Sequence, residues 1–234
     1  MNWDWLLKII KKGKNERVNK LNQNWNMINK NIPNIKNNKD PSLEKMERKA
    51  NIILNSLGFK SFDELKNKKI LDIGSGDADL ALIAKNNGID IVCSDIDNEK
   101  FQKGVELGLD YKWFSGYNIH AESESFDLVL SSGSVPMISW KRSEVIDLLK
   151  EVKRVLKVGG EFRFGPGCLI ASVTDSNLNP AERNAIWQPN KDAKAKRRKL
   201  SLEILHSYDP NIVETLISLR TKYPSAYYTM KKDK

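Results

Sequence analysis

The chain is expected to fold as an α/β protein with a doubly wound, mostly parallel sheet and a helical N-terminal appendage. Three observations predict this. Residues 69–80 read as a short apolar strand, Ile70 to Ile73, a tight turn with Gly74 and Gly76, and a helix entered through Leu80. A second strand, Ile89 to Asp95, ends in an acid about twenty residues after Gly74, the spacing of a carboxylate that grips ribose hydroxyls. Phe126-Asp127-Leu128-Val129-Leu130-Ser131 is a nearly continuous apolar run of the kind buried on both faces of a parallel sheet.

The elements follow in order. Residues 1–40 read as a separate appendage or lid. Trp3, Leu6, Leu7 and Ile10 share one helical face, with Lys8, Lys11 and Lys12 nearby. Such a helix could lie on a membrane or a partner, but more often packs on its own domain. Trp25, Met27 and Ile28 continue the apolar content, and Pro33 and Pro41 punctuate its end. Residues 41–234 form the main domain. Ser42 is the expected cap of a first helix whose core stripe is Met46, Ala50, Ile53, Leu54 and Leu57, stopped by Gly58. Phe59 to Asn67 read as a short second helical piece. After Asp95 come a helix from Glu99 to Leu107 and a third strand, Tyr111 to Phe114. Ser143 to Leu156 has the clearest amphipathic pattern, with Val145, Leu148, Leu149, Val152 and Val155 on one face and Ser143 as the expected cap. Gly159-Gly160 lead into a fifth strand, Glu161 to Phe164. Residues 167–234 diverge from this regular alternation. Residues 167–190 read as loop, 191–199 as a basic run, Leu200–His206 and Ile212–Leu219 as helices, and Ala226–Met230 as one strand added at the sheet edge.

Composition narrows the class. The 234 residues, 40% hydrophobic, suffice for a real core. No apolar run approaches the roughly 20 residues of a membrane span. The N-terminus lacks a clean apolar core and a small-residue cleavage site, so no secretory signal is expected. The two cysteines, Cys93 and Cys168, make neither a disulfide framework nor a metal spacing. A reducing cytoplasm and no metal are expected. The net charge of +9 fits nucleic acid, an acidic partner, or simply a Lys- and Asn-rich composition.

The glycine turn narrows the ligand. A dinucleotide fingerprint would place its third glycine where Asp79 stands, and an acid there repels a pyrophosphate. Asp72 suits a positive amino or sulfonium group instead. Asp72-Ile73-Gly74-Ser75-Gly76-Asp77-Ala78 resembles the first motif of the class I, Rossmann-like S-adenosylmethionine (SAM) methyltransferases, acid-x-Gly-x-Gly-x-Gly, with Ala78 in the third glycine's place. Ser125-Phe126-Asp127-Leu128-Val129 resembles that family's fourth strand. Val155-Leu156-Lys157-Val158-Gly159-Gly160-Glu161-Phe162 resembles its turn before the fifth. The resemblance covers roughly residues 50–166.

The resemblance implies SAM as cofactor, held by Asp72, Gly74, Ser75, Gly76, Asp95, Ile96, Asn118 and Ser131. Asp72 would face the methionine end, and Ser131 would lie where the fourth strand meets the methyl. The competing reading of Asp95 is a cap for the helix near Asn98. The family's usual acid after the third strand is missing, and Asn118 or a group near Ser115–Tyr117 is the expected substitute at the adenine amine. Asp127 is expected to be structural. Catalytic residues stay unassigned, because the cofactor carries the reactive group. Cys168, His120 and His206 are weak candidates, and Tyr117 and Trp140 could shape an acceptor pocket.

The leading acceptor is a small molecule. The segment Ser131 to Met137 lacks the Asn/Asp-Pro-Pro-aromatic motif of amino-group nucleic-acid methylators and the Pro-Cys of cytosine-carbon methylators. The alternatives are an RNA methyltransferase using the basic N- and C-terminal regions, and a non-catalytic binding subunit of the same fold. A nicotinamide oxidoreductase is disfavoured by Asp72 and Asp79.

Overall fold

The computed structural model describes residues 41–174, 176–218 and 225–233. The reading of residues 1–40 as an amphipathic appendage lies outside them. The chain divides into two units, residues 1–44 and 45–234. Of the first, only the opening turn of a helix is described.

That helix, α1, spans Pro41–Ser56. A single 3-10 turn, Phe62–Leu65, leads to β1, Ile70–Ile73. The chain then alternates: α2 Asp79–Asn86, β2 Ile91–Asp95, α3 Asn98–Glu106, β3 Tyr111–Trp113, β4 Phe126–Ser132, α4 Arg142–Val155 and β5 Leu156–Gly165. It closes with α5 Ala171–Thr174, α6 Pro180–Ile186, α7 Lys191–Tyr208, β6 Val213–Ile217 and β7 Ser225–Lys231. The seven strands lie in the order β3-β2-β1-β4-β5-β7-β6. The first five pair in parallel, and β7 runs antiparallel between β5 and β6.

Both faces of the sheet are covered, which is why β1 and most of β4 carry no polar alternation. On one face Leu54 and Leu57 of α1 and Leu80, Ala81 and Ala84 of α2 pack with Ile70, Cys93, Leu128 and Leu130. On the other, Val145, Leu148, Leu149 and Val152 of α4 and Ile204 and Leu205 of α7 pack on Leu71, Val129, Phe162, Phe164 and Tyr228. The chain winds from β1 outward to β3, then returns to β4 beside β1. This reversal opens a crevice at the carboxyl ends of β1 and β4, where doubly wound sheets bind ligands.

Several expectations are corrected. Ile212–Leu219 is not a helix; its centre is β6. Val213, Thr215 and Ile217 are β-branched, and residues 213–217 pair with Thr229–Ser225. The strand over Ala226–Met230 is therefore not an edge strand, and the sheet ends in an antiparallel pair. Residues 167–190 contain α5 and α6 rather than loop alone. Asn179 caps α6 by accepting from Glu182 N at 3.0 Å, with Pro180 in its first turn. The basic run and Leu200–His206 are one continuous helix, α7, capped by Asn190. Ser42 lies within α1, and Ser143 within α4, whose cap position is Lys141. The expected helical piece over Phe59–Asn67 is only the 3-10 turn.

Candidate functional site

The glycine turn after β1 is tied to β2. Gly74 N and Ser75 N both donate to Ser94 O, at 2.8 and 2.9 Å. Ser75 Oγ donates back to Asp72 O at 2.7 Å. Gly76 N donates to Asp95 Oδ2 at 3.0 Å, and Tyr111 OH donates to Gly76 O at 3.0 Å. The turn needs three left-handed positions at alternate residues: Gly74 at φ +71°, Gly76 at +54° and Ala78 at +57°. Its two glycines serve different purposes. A Cβ on Gly74 would fall 2.0 Å from Ser134 Oγ, so the loop after β4 closes down on the turn there. A Cβ on Gly76 would meet no described atom within 4 Å, which leaves room for a ligand against the backbone.

Asp72 is the next-to-last residue of β1 and is 5% exposed. Burial pushes its carboxyl up to about 7, Ser75 partly offsets this, and the Asp95 charge adds to it. A cation beside it would restore the ionised form. The Asp95 Oδ1 atom accepts from Asp97 N at 3.0 Å. Each Asp95 oxygen keeps a further lone pair for a hydroxyl donor. Asp97, not Asp95, caps α3, accepting from Glu99 N and Lys100 N at 2.8 and 3.3 Å. Asp77 points instead to Lys100 and Lys103, whose hydrogen bonds hold it down at about 2.

The remaining expected positions are distributed along the same edge. Ile96, 71% exposed, follows Asp95 directly. Its carbonyl accepts from Trp113 Nε1 at 2.9 Å. Asn118 is exposed beyond β3, with Nδ2 and His120 Nε2 3.3 Å apart. Ser131 is fully buried near the end of β4, and its Oγ has no hydrogen-bond partner among the described residues. Asp127 stands at the opposite end of β4, bonded by Lys69 N and Lys157 Nζ, in a structural position.

Two residues were missed from sequence. Ser134 is set over Gly74 by loop geometry, for which no local pattern exists. Trp113 is 59% exposed and paired in register with Asp95, forming an aromatic wall beside it. An unburied tryptophan closing a short strand was the available signal.

A wall forms where the loop after β4 meets the segment after β5. Ile170 N donates to Met137 O at 2.9 Å, Ala171 N to Ser139 O at 2.8 Å, and Thr174 Oγ1 to Trp140 O at 2.5 Å. Tyr117 OH and Ser139 Oγ lie 2.7 Å apart at its base. Cys168, partly buried, follows β5, and His206 Nε2 is engaged with Ile212 O at 2.9 Å, away from this edge. No group of three or more His, Cys, Asp or Glu among the described residues could hold a metal ion. No described helix is long and apolar enough to cross a membrane.

These features fit SAM: an open glycine position, a buried carboxylate for a cation, a second acid beyond β2, and an unpartnered hydroxyl on β4. Comparison with known proteins agrees. Residues 71–164, which run from β1 into β5, match the methyltransferase domain family. The fold is similar to a protein from Pyrococcus horikoshii, at 17% identity and TM-score 0.54, covering 80% of this chain and 91% of that one. It is also similar to a putative SAM-dependent methyltransferase from Methanococcus maripaludis, at 17% identity and TM-score 0.50, covering 86% and 98%. A SAM-dependent methyltransferase from Methanosarcina mazei gives 14% identity and TM-score 0.51, covering 72% and 93%. No curated protein matches the chain in sequence. Motifs, strand order and the matched region agree: residues 71–164 match the methyltransferase domain family, and the chain has the fold of SAM-dependent methyltransferases.

Proposed function

We propose that this enzyme methylates a small molecule, and that Asp72, Gly74, Ser75, Gly76, Asp95, Ile96, Asn118 and Ser131 form its cofactor site. One observation carries the site assignment: a buried carboxylate at the β1–β4 crevice beside a turn that leaves Gly76 open. SAM supplies an activated methyl on a sulfonium, so no protein group need activate it. Asp72 balances positive charge at the methionine end. Asp95 accepts from ribose hydroxyls, while Gly76 N and Asp97 N fix its orientation. Ile96 and Trp113 flank the base, and Asn118 is the available amide for its amino group. The residues after β4, Ser131 to Ser134, lie beside the methyl. The protein's task is to hold acceptor and methyl in line at contact distance.

A small acceptor is supported by the wall that joins 137–140 to 170–174, which narrows the edge beside β4. Nothing in the comparisons points to RNA or to a non-catalytic subunit. The domain assignment, residues 41–234 with 1–40 appended, rests on the continuous layering described above. Cys93 and Cys168 are both free, which supports a reducing, cytoplasmic setting.

Calorimetric titration with SAM, its demethylated product and NAD tests the assignment. SAM and product should bind, NAD should not, and Asp95→Asn should weaken both by tenfold or more (roughly 1.4 kcal/mol). Unchanged SAM affinity in that variant would remove Asp95 from the site.

A further inference from the structure

The connection between β3 and β4, residues 114–125, contains neither helix nor strand, yet it carries Asn118, the amide assigned above to the adenine amino group. Asn118 is exposed, and an exposed side chain on such a loop selects a base only if its backbone is held. The hold comes from α4.

Glu151 and Arg154 stand one turn apart on α4 and form a forked pair. Arg154 Nε donates to Glu151 Oε1 and Nη2 to Oε2, both at 2.9 Å. The pair then reaches across to the loop. Ile119 N donates to Glu151 Oε2 at 3.0 Å. Arg154 Nη2 donates to Ile119 O and Nη1 to Ala121 O, both at 2.8 Å. The N–H and the C=O of Ile119 are thus bonded to the same two side chains. On the other side of Asn118, its own N–H donates to Ser115 O at 3.0 Å. Asn118 therefore lies between two bonded peptide units, which restricts the torsions that aim its side chain.

Packing supports the same hold. The Ile119 side chain is buried in the core layer of Leu148. A Cβ on Gly116 would lie 2.7 Å from Leu148 Cδ1, 2.9 Å from Ile73 Cγ2 and 3.1 Å from Val135 Cγ2, so the loop backbone rests directly on α4, β1 and the segment after β4. Farther along, Glu124 N and Ser125 N donate to Arg154 O and Val155 O at 3.0 and 2.8 Å. Hydrogen bonds from Arg154 hold the Glu151 carboxyl below the ordinary range, which keeps the pair charged at neutral pH. At 35% and 24% exposure, an ion pair of this kind adds little stability by charge alone. Its geometry is what distinguishes it. Two guanidinium hydrogen bonds go to the carboxylate and two to loop carbonyls, a pattern that the point charge of a lysine does not reproduce.

We propose that Glu151 and Arg154 are positioning residues for adenine. By holding both peptide groups of Ile119 they set the Asn118 amide at the amino group of the base, and the preference for adenine over a base with a carbonyl in that place depends on them. This rests on the SAM reading and on the assignment of Asn118. The Asn118 oxygen accepts from an amino group and finds no donor in a carbonyl. An amide can turn over to offer its nitrogen instead, and the 3.3 Å contact of Nδ2 with His120 Nε2 opposes this while that ring nitrogen is unprotonated.

The test titrates the protein with S-adenosylhomocysteine and with its inosine counterpart, in which a carbonyl replaces the adenine amino group, read by calorimetry. Wild type should favour the adenosyl compound by about tenfold or more. Asn118→Ala should bring the two affinities within about threefold of each other. Arg154→Gln and Arg154→Lys should both shrink the preference by about threefold or more, through lost adenosyl affinity, with inosyl affinity within about twofold of wild type. Glu151→Gln keeps an acceptor for Ile119 N and should fall between. Lys150→Gln, which removes the neighbouring exposed pair with Asp147, should match wild type. A merely structural role would instead lower the unfolding midpoint and both affinities together. The proposal is overturned if either Arg154 variant keeps the wild-type preference while Asn118→Ala loses it, or if the Arg154 variants weaken both compounds equally. A wild-type preference in Asn118→Ala overturns it together with the adenine assignment. Failure of the wild-type protein to bind either compound strikes the cofactor reading beneath both.

Discussion

Asp72 gives the most direct experimental access to the site. Its carboxyl sits near 7 because burial disfavours its charge. The folded state therefore holds this proton over a range where the unfolded chain has lost it. Stability from this group falls as pH rises from the ordinary carboxylate range to about 7, then levels. A bound cation acts in the opposite sense and draws the carboxylate back to its ionised form. SAM binding at pH 6 should accordingly release close to one proton, and almost none at pH 8.5. Titrations in buffers of different ionisation enthalpy measure this, and Asp72→Asn should abolish the difference. Proton uptake at pH 6, or none, would remove Asp72 from the cation site. At Gly74, an alanine would meet both a left-handed backbone and the Ser134 hydroxyl. Gly74→Ala should reduce SAM affinity at least tenfold. Adding Ser134→Ala should not restore it, since the backbone conformation alone costs roughly 1 kcal/mol or more. Ala78 already tolerates φ +57° and is buried, so Ala78→Gly trades a relaxed backbone for a lost methyl contact. Its thermal unfolding free energy should lie within about 1 kcal/mol of wild type.

Among the elements, α3 acts on the site at second hand, through Tyr111 of β3. Gly104 of α3 is packed so closely that a Cβ there would lie 1.9 Å from the Tyr111 ring. Tyr111, on β3, holds Gly76 O with its hydroxyl. Helix position is thus transmitted through one ring to the cofactor turn. Gly104→Ala should destabilise the fold by about 1–3 kcal/mol and weaken SAM binding, because the ring must move. Tyr111→Phe keeps the ring and should cost only about 1 kcal/mol, with a smaller effect on binding. Equal effects in the two variants would show that the ring's position does not govern the turn. The same elements explain which parts of the fold were legible. β1, β2 and β4 are buried on both faces, so their apolar runs record their environment locally, and the turn at Gly74 is written in adjacent residues. By contrast, β6 exposes Val213 and Leu216, and its apolar positions fit helical spacing as well as alternation. Only its pairing with β7, a contact between residues over ten positions apart at the strand ends' widest separation, decides for a strand. In the proposed site, Asp72 and Asp95 stand out in sequence because motif and strand end coincide. Ser134 was not, because its approach to Gly74 is made by folding. The Asn190 cap of α7 was present in sequence, but Pro189 and the following lysines masked it as loop and charge run.

At the scale of the whole molecule, the question is what the main domain requires for stability. Every buried hydrophobic residue described lies between Ala50 and Met230. Both core layers are built from elements within that range, and α4 alone contributes five fully buried aliphatic side chains to one of them. Each such side chain is worth roughly 1.5–3 kcal/mol in area removed from water. Leu148→Ala should therefore cost about 2–5 kcal/mol, and a loss below 1 kcal/mol would mean that α4 is not the centre of its layer. The same bookkeeping predicts the consequence of removing residues 1–40. If they are an appendage, the shortened chain should unfold cooperatively within about 5 °C of the full chain, since a 1 kcal/mol change moves the midpoint by only about 2–4 °C for a chain of this size. Its SAM affinity should stay within about threefold, because Asp72, Gly76 and Asp95 owe their positions to β1, β2 and α3. Methyl transfer to the acceptor is the quantity free to change: a lid's removal should raise the acceptor KM and leave SAM binding alone. Differential scanning calorimetry with and without SAM separates the cases. An early, non-cooperative transition would place residues 1–40 in the core, and a matched loss of SAM affinity would place them in the cofactor site.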